Sequence, residues 1–265
     1  MSSGLVYLMY HELEVPGRPL CESEQGYVRY VVGATDFKQQ IARLNDDGVI
    51  GISVGKALSA PAEASARVVF TFDDGCETDL TVAAPLLKEA GFDATFYVTV
   101  GHLGQRGYMT EGQLRELSDM SFEIGSHSMT HTYLHDLSTE QIRSEVVESR
   151  KRLEQITGRA VAHFSCPGGR WDMRVSRLVR ESGYDSLVTS SIGVNSSDSD
   201  SFNLKRVPIM RGMGIEAFAR IARGEGLGLR RAQSAVLNVA KRVLGNSIYE
   251  RLRSTVLGQG AGAAS

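Results

Sequence analysis

The sequence predicts an α/β chain whose parallel sheet closes, or nearly closes, into a barrel. Three observations carry this: apolar β-branched runs alternate with segments of helical period, about seven such runs can be counted, and 265 residues with 42% apolar content can bury one large core. An open doubly wound sheet is the alternative topology for the same alternation.

Taken in order, Leu5 to Tyr10 reads as a first strand, and Asp36 to Leu44 as a helix capped by Thr35. Residues 67 to 72 (RVVFTF) are a strand, 80 to 90 (LTVAAPLLKEA) a helix stopped at Gly91, and 94 to 100 (ATFYVTV) a strand again. The unit repeats as a helix near 111 to 119, a strand at 122 to 126, a helix at 139 to 157, a strand at 160 to 166, a helix at 173 to 182 and a strand at 185 to 190. The helix after Ser138 is the best marked: Ser138 and Gln141 form a capping-box pattern and Gly158 supplies the stop. Leu204 to Met210 reads as a late strand. We divide the chain into a barrel domain (1–214), a basic helical extension (215–257) and a disordered tail (258–265).

Composition excludes several classes. A net charge of -2 and 23% charged residues describe an ordinary globular chain and offer no bulk charge for nucleic acid. Cys21, Cys76 and Cys166 are odd in number, far apart and without CxxC spacing, so they predict neither a thiolate metal site nor a redox pair. The opening MSSGLVYLMYHEL lacks a basic region and its apolar run is short, so a cytoplasmic protein is expected. Between 220 and 253, Arg220, Arg223, Arg230, Arg231, Lys241, Arg242, Arg251 and Arg253 face only Glu225 and Glu250. With the apolar residues interleaved there, 231 to 244 reads either as a basic amphipathic helix lying on the inner face of a membrane or as a solvated helix packed on the barrel.

The chemistry gathers at strand ends. Asp73 and Asp74 follow an apolar strand and precede Gly75, where α/β folds place their sites. Two adjacent carboxylates repel unless one binds a cation and the other takes a proton, which gives the pair two roles; a helix N-cap is the bland reading of either alone. His127 and His131 stand at i, i+4 after the strand FEIGS, a spacing that brings both imidazoles to one ion if the segment turns helically. Two His and one Asp leave open positions, as a catalytic metal requires. His102 follows the strand ending at Val100 and falls on the same rim as a substrate contact, and Trp171, the only tryptophan, is a candidate for stacking on a sugar ring.

Thr71-Phe72-Asp73-Asp74-Gly75 followed by His127-Ser128-Met129-Thr130-His131 resembles the first two motifs of the polysaccharide deacetylases, the carbohydrate esterase family four type. The resemblance covers roughly residues 5 to 210. It implies a distorted (β/α)7-type barrel and N-deacetylation of an amino sugar, with an N-acetylated saccharide of surface polysaccharide or precursor synthesis as substrate. It further implies that Asp74, His127 and His131 hold one divalent metal, zinc first, with cobalt, nickel, manganese and iron as alternatives, while Asp73 acts as base. Phe164-Ser165-Cys166-Pro167-Gly168-Gly169 is similar to the third motif, which makes Gly168 the candidate oxyanion donor.

Two departures stand out. The arginine that opens the third motif is replaced by Ser165, so Arg170 or Arg206 must orient Asp73, and Arg206 is favoured because it precedes a late strand. The late Leu-His motif is missing, since no histidine follows His163, but Leu8-Met9-Tyr10-His11 resembles circularly permuted exopolysaccharide deacetylases whose acid lies near the N-terminus. His11 is then the general acid. Hydrolysis of a formamide or cyclic amide, and a catalytically silent glycan- or partner-binding module, are the competing readings.

Overall fold

The computed structural model describes residues 4–59, 66–228 and 231. In chain order the elements are β1 (Val6–Tyr10), β2 (Leu13–Glu14), α1 (Gln25–Val28), β3 (Val32–Gly33), α2 (Ala34–Asp46), β4 (Ile50–Ile52), α3 (Val54–Ser59) and β5 (Arg67–Phe72). A π-helical turn (Asp79–Ala83) leads into α4 (Ala84–Glu89), then come β6 (Thr95–Val98), α5 (Glu111–Asp119), β7 (Glu123–Ser126), α6 (Thr139–Thr157), β8 (His163–Ser165), α7 (Met173–Glu181), β9 (Ser186–Val188), β10 (Val207–Pro208) and α8 (Ile215–Ala222).

The main sheet runs β10-β1-β5-β6-β7-β8-β9, every pair parallel, and β4 joins the first half of β5 on the edge that β6 takes further along. It curls until its ends approach. The extended stretch before β10 completes the turn: Thr189 N–H donates to Leu204 O (2.8 Å), Leu204 N–H to Leu187 O (3.0 Å) and Arg206 N–H to Ser191 O (3.0 Å). This is the distorted α/β barrel that the alternation predicts, rather than an open sheet, with β4 as an eighth strand beside the seven predicted ones.

Parallel strands covered on both faces read as continuous apolar runs, and here two separate layers result. Tyr7, Ile52, Val69, Tyr97, Val188 and Leu204 cluster together, while Val6, Leu8, Tyr10, Phe70, Phe72 and Phe96 belong to the larger cluster with the helices. Phe72 stacks on Phe96 (4.8 Å between ring centres) and on Tyr10 (5.2 Å). Because side chains alternate along a strand, Thr71 and Asp73 continue the face that holds Val69, which aims Asp73 into the barrel mouth.

The predicted helix ends hold best where the caps are chemical. Ser138 and Gln141 make the full capping box, and Gly158 closes α6 in the left-handed conformation (φ 67°). Thr35 does not cap α2. The helix starts at Ala34 with Gly33 as its N-cap, because β3 ends at Gly33 and the chain turns directly, leaving Thr35 inside the first turn. Of the proposed extension, α8 packs against α2 and β1 through buried Phe218, Ala219 and Ile221, with Arg43 paired to Glu216 (2.6 Å). The rest of that segment beyond 228, Arg231 excepted, and the tail at 258–265 lie outside the described residues. No helix among the described residues is long and apolar enough to cross a membrane.

Candidate active site

β5 delivers Asp73 and Asp74 to the C-terminal mouth of the barrel, and both are buried. Asp73 N–H donates to Tyr10 O (3.0 Å), so the end of β1, and with it His11, is held beside the acidic pair. Asp74 then takes a left-handed backbone (φ 83°), as does Gly75 (φ 84°). For a non-glycine residue that conformation is costly, and here it breaks the strand alternation so that two consecutive carboxylates serve one site.

The structure brings Asp74, His127 and His131 together, with ligand-capable atoms all within 4.8 Å of one another. Asp74 Oδ1 lies 3.5 Å from His127 Nε2 and 3.3 Å from His131 Nε2, yet it has no hydrogen-bond partner. The His127 tautomer follows from its other nitrogen. Nδ1 sits 2.8 Å from the Ser165 carbonyl oxygen, which can only accept, so Nδ1 carries the hydrogen and Nε2 presents its lone pair to the cluster. An orphaned buried carboxylate oxygen facing a fixed imidazole lone pair suits a divalent cation, and these three residues fit one.

The two histidines do not meet on a helical turn. Ser128 (φ 68°) and His131 (φ 64°) are both left-handed, and the segment is an irregular loop. Glu145 from α6 shapes it by accepting from the N–H groups of Met129 and Thr130 (2.9 Å each) and from Thr130 Oγ1 (2.8 Å), while Ser128 Oγ accepts from His131 N–H (3.0 Å). The i, i+4 spacing is real; the geometry that uses it is a pinned loop.

Asp73 is gripped from behind. Arg206, fully buried, donates through Nη1 to Oδ1 and through Nη2 to Oδ2, both at 2.7 Å, a bidentate fork. Its Nε–H donates to Thr189 O (3.0 Å), Nη1 to Thr71 Oγ1 (3.3 Å) and Nη2 to Ser165 Oγ (3.0 Å). Ser165 Oγ in turn donates to the Asp73 carboxylate (3.3 Å). The serine that departs from the third motif therefore fills the space between arginine and base. Arg170 lies elsewhere, over the Tyr133 ring at 3.9 Å.

Burial opposes the charge on every one of these groups, and the partners decide the outcome. For Asp73, burial is outweighed by Arg206 and His127, which hold its carboxyl below the usual range. Asp74 is likewise held far below its ordinary range against its burial, with His131 as the main stabiliser. His127 is pushed down to about 4 by burial, against the pull of Asp73, and so is neutral at pH 7. His131 goes the other way: burial is overcome by Asp74, and its imidazole is raised.

The remaining predicted residues sit at varied distances. His11 lies against Tyr30 with the rings tilted (5.1 Å between centres), and its buried Nδ1 has no hydrogen-bond partner. His102 lies between Tyr108 (4.4 Å) and His131 (5.4 Å), with burial lowering its pKa. Gly168 adopts φ 60°, and a Cβ there would come within 2.6 Å of the Tyr133 ring, so only glycine fits that turn. Trp171 is partly buried against the main core.

Sequence reading missed Glu145 and Asp79. Asp79, in the π-helical turn, is fully buried with neither carboxylate oxygen bonded, and burial followed by the nearby Asp74 raises its pKa well above the ordinary value. The folded chain keeps this proton while the unfolded chain loses it above about pH 4, so Asp79 makes stability fall as pH rises. Asp79→Asn should therefore gain on the native protein by about 1.4 kcal/mol per pH unit on entering that window and match it below it. Melting curves from pH 3.5 to 8 would read this; parallel curves for the two proteins would refute it.

A parallel barrel whose mouth holds a carboxylate–imidazole cluster beside an arginine-clamped acid defines a hydrolase-type site. The sequence model of the polysaccharide deacetylase family matches residues 61–187. YxkH of Bacillus subtilis is 29% identical over 187 residues, covering 69% of this chain and 67% of that protein. A peptidoglycan-N-acetylglucosamine deacetylase of Bacillus cereus is 27% identical over 124 residues, 46% of this chain, and this chain spans 56% of that protein's length. Among solved structures, the Streptococcus pyogenes deacetylase PplD, in complex with acetate, superposes with a TM-score of 0.73 at 23% identity, over 83% of this chain and 98% of that one. Residues 61–187 thus carry a polysaccharide deacetylase domain, on a fold shared with solved deacetylases.

Proposed function

We propose that this chain removes the N-acetyl group from an amino sugar within a saccharide, using one divalent metal, zinc first, held by Asp74, His127 and His131. The observation that carries this reading is the pairing of that three-residue cluster with Asp73, whose carboxylate is clamped by Arg206 at 2.7 Å on both oxygens. The named deacetylase of peptidoglycan N-acetylglucosamine among the relatives supports an N-acetylated substrate.

Bound there, the cation supplies Lewis acidity toward the acetamide carbonyl and lowers the pKa of water. Asp73 takes the proton of the attacking water. Its low pKa keeps it in the accepting form at neutral pH, and because Ser165 has a single hydroxyl hydrogen to share between the two oxygens, one of them keeps a lone pair beyond its Arg206 bond. Gly168 N–H is the proposed donor to the developing oxyanion. His11 protonates the leaving amine, the arrangement expected of a permuted motif order, and its partner-free Nδ1 is consistent with that task.

Purified, metal-loaded protein should release acetate from acetamido sugars or their oligomers, and His11→Ala should slow release by about 10²-fold or more. Acetate from none of a panel of acetamido saccharides, with formate or ring opening from formyl or cyclic amides instead, would sink the acetyl assignment. Equal inactivity of both proteins on every amide would sink catalysis.

Metal binding should also release a proton. In the free protein, Asp74 holds a proton on His131 above its ordinary range, whereas a ligand imidazole must be neutral. Affinity should therefore fall about tenfold per pH unit once His131 is protonated, with close to one proton released per ion near pH 6. Titration calorimetry in two buffers of different ionisation enthalpy measures this, and identical heats in both would contradict it.

A further inference from the structure

Two cysteines that lie 55 residues apart in sequence meet beside the site, with Cys21 Sγ and Cys76 Sγ 3.7 Å apart and both unbridged. We propose that Cys21 and Cys76 form a reversible disulfide that ties the loop after β2 to the segment carrying Asp74. The sequence spacing contained no hint of a redox pair; the fold makes one.

The two sulfurs are unequal. Cys76, two residues beyond Asp74, is fully buried and fixed by its bridge to Tyr108, whereas Cys21 is half-exposed on an irregular stretch. Their approach is enforced by a polar clasp. Buried Glu12 accepts from Cys21 N–H (2.9 Å), from Tyr27 O–H (2.9 Å) and from Arg18, which also donates to Gly107 O (2.8 Å). Because Tyr27 O–H is spent on Glu12, its oxygen is left to accept the Cys76 S–H at 3.5 Å. Gly107 lies directly against Cys21, where a Cβ would come within 2.8 Å of the sulfur, so this clasp needs glycine. Closing from 3.7 Å to a bond of about 2.05 Å asks for movement of the loop sulfur toward a fixed one, which the irregular stretch can supply.

The oxidant class is a small disulfide such as glutathione disulfide. Cys21, the reachable sulfur, attacks one of its sulfurs as a thiolate, forming a mixed disulfide and expelling one glutathione thiolate. Cys76 then attacks Cys21 Sγ, the mixed disulfide breaks, and the second glutathione leaves. Two electrons pass from the cysteine pair to the glutathione disulfide, and the two thiol protons end on the two released glutathiones. Dithiothreitol reverses both steps. Cys166, the third cysteine, is fully buried and takes no part.

The test equilibrates the full chain in glutathione buffers of rising oxidised fraction, quenches with an alkylating reagent, and reads intact mass and peptide map. Expected are the joint loss of two alkylatable thiols in a single transition, a Cys21–Cys76 linked peptide, and recovery with dithiothreitol. Cys76→Ser should stop at a glutathione adduct on Cys21, and Cys21→Ser, a change on the half-exposed loop, should abolish the transition. Two thiols that stay alkylatable at every ratio, a glutathione adduct that persists on Cys21 in the native sequence, or protection by a second equivalent of zinc would each overturn the proposal.

Discussion

Asp73→Asn is expected to lower acetate release by a factor of about 10² to 10⁴ while metal content stays at that of the native protein. The distinction between the two neighbouring carboxylates produces this outcome. Asp74 Oδ1 faces His127 and His131, whereas both oxygens of Asp73 face Arg206, with Asp73 Oδ2 3.9 Å from His127 Nε2. An amide at 73 keeps the shape and one acceptor for the arginine but has no basicity. An amide or alanine at 74, by contrast, should lose the ion and the activity together. Metal analysis by mass spectrometry alongside the acetate assay separates the two; loss of metal from Asp73→Asn would show that the roles are misassigned.

How much of this site was readable before folding depended on whether a signal was local. α6 was placed to the residue because Ser138, Gln141 and Gly158 are chemical stops. Thr110 and Gln113 form an equally complete capping box at α5, so its start was there to be read. β2, β3 and α1 went unseen because two- and four-residue elements carry no periodicity. The acidic pair and the two histidines were legible from residue type and spacing, but their loop was not. Its shape depends on Glu145, 14 residues beyond His131 along the chain, and on left-handed residues that no glycine announces. Arg206 could be named only as one of two candidates, since nothing local says that a strand at the far edge of the sheet closes onto β5's exit. Asp79 was illegible for the same reason: its burial comes from the segment beyond β1, where Leu13 N–H reaches Thr78 Oγ1 (3.2 Å) and Tyr27 covers Cys76.

Arg206→Met should be the most destabilising single change at the site, and its cost should be recoverable. Removing one member of a buried ion pair leaves the other charged and desolvated, a penalty of about 3–5 kcal/mol, or a melting temperature lower by about 10 °C for a chain of this size. Without the guanidinium, the largest charge that opposes burial is gone, so the Asp73 carboxyl should rise from its depressed position. The sign of the pH dependence follows. In the native protein Asp73 contributes stability above its ordinary pKa that disappears as acid protonates it; in the variant the raised carboxyl favours the folded state only when protonated. The gap between the two proteins should therefore be widest at neutral pH and narrow in acid, and the acid limb of the pH–rate profile should move upward in the variant. Adding Asp73→Asn to Arg206→Met removes the stranded charge, and the double variant should be more stable than Arg206→Met alone while remaining inactive. Denaturant titrations of the four proteins, run at pH 5 and pH 7, measure the coupling directly. If the double variant is destabilised by the sum of the singles, the two side chains do not act as a pair and the clamp on the base has no energetic weight.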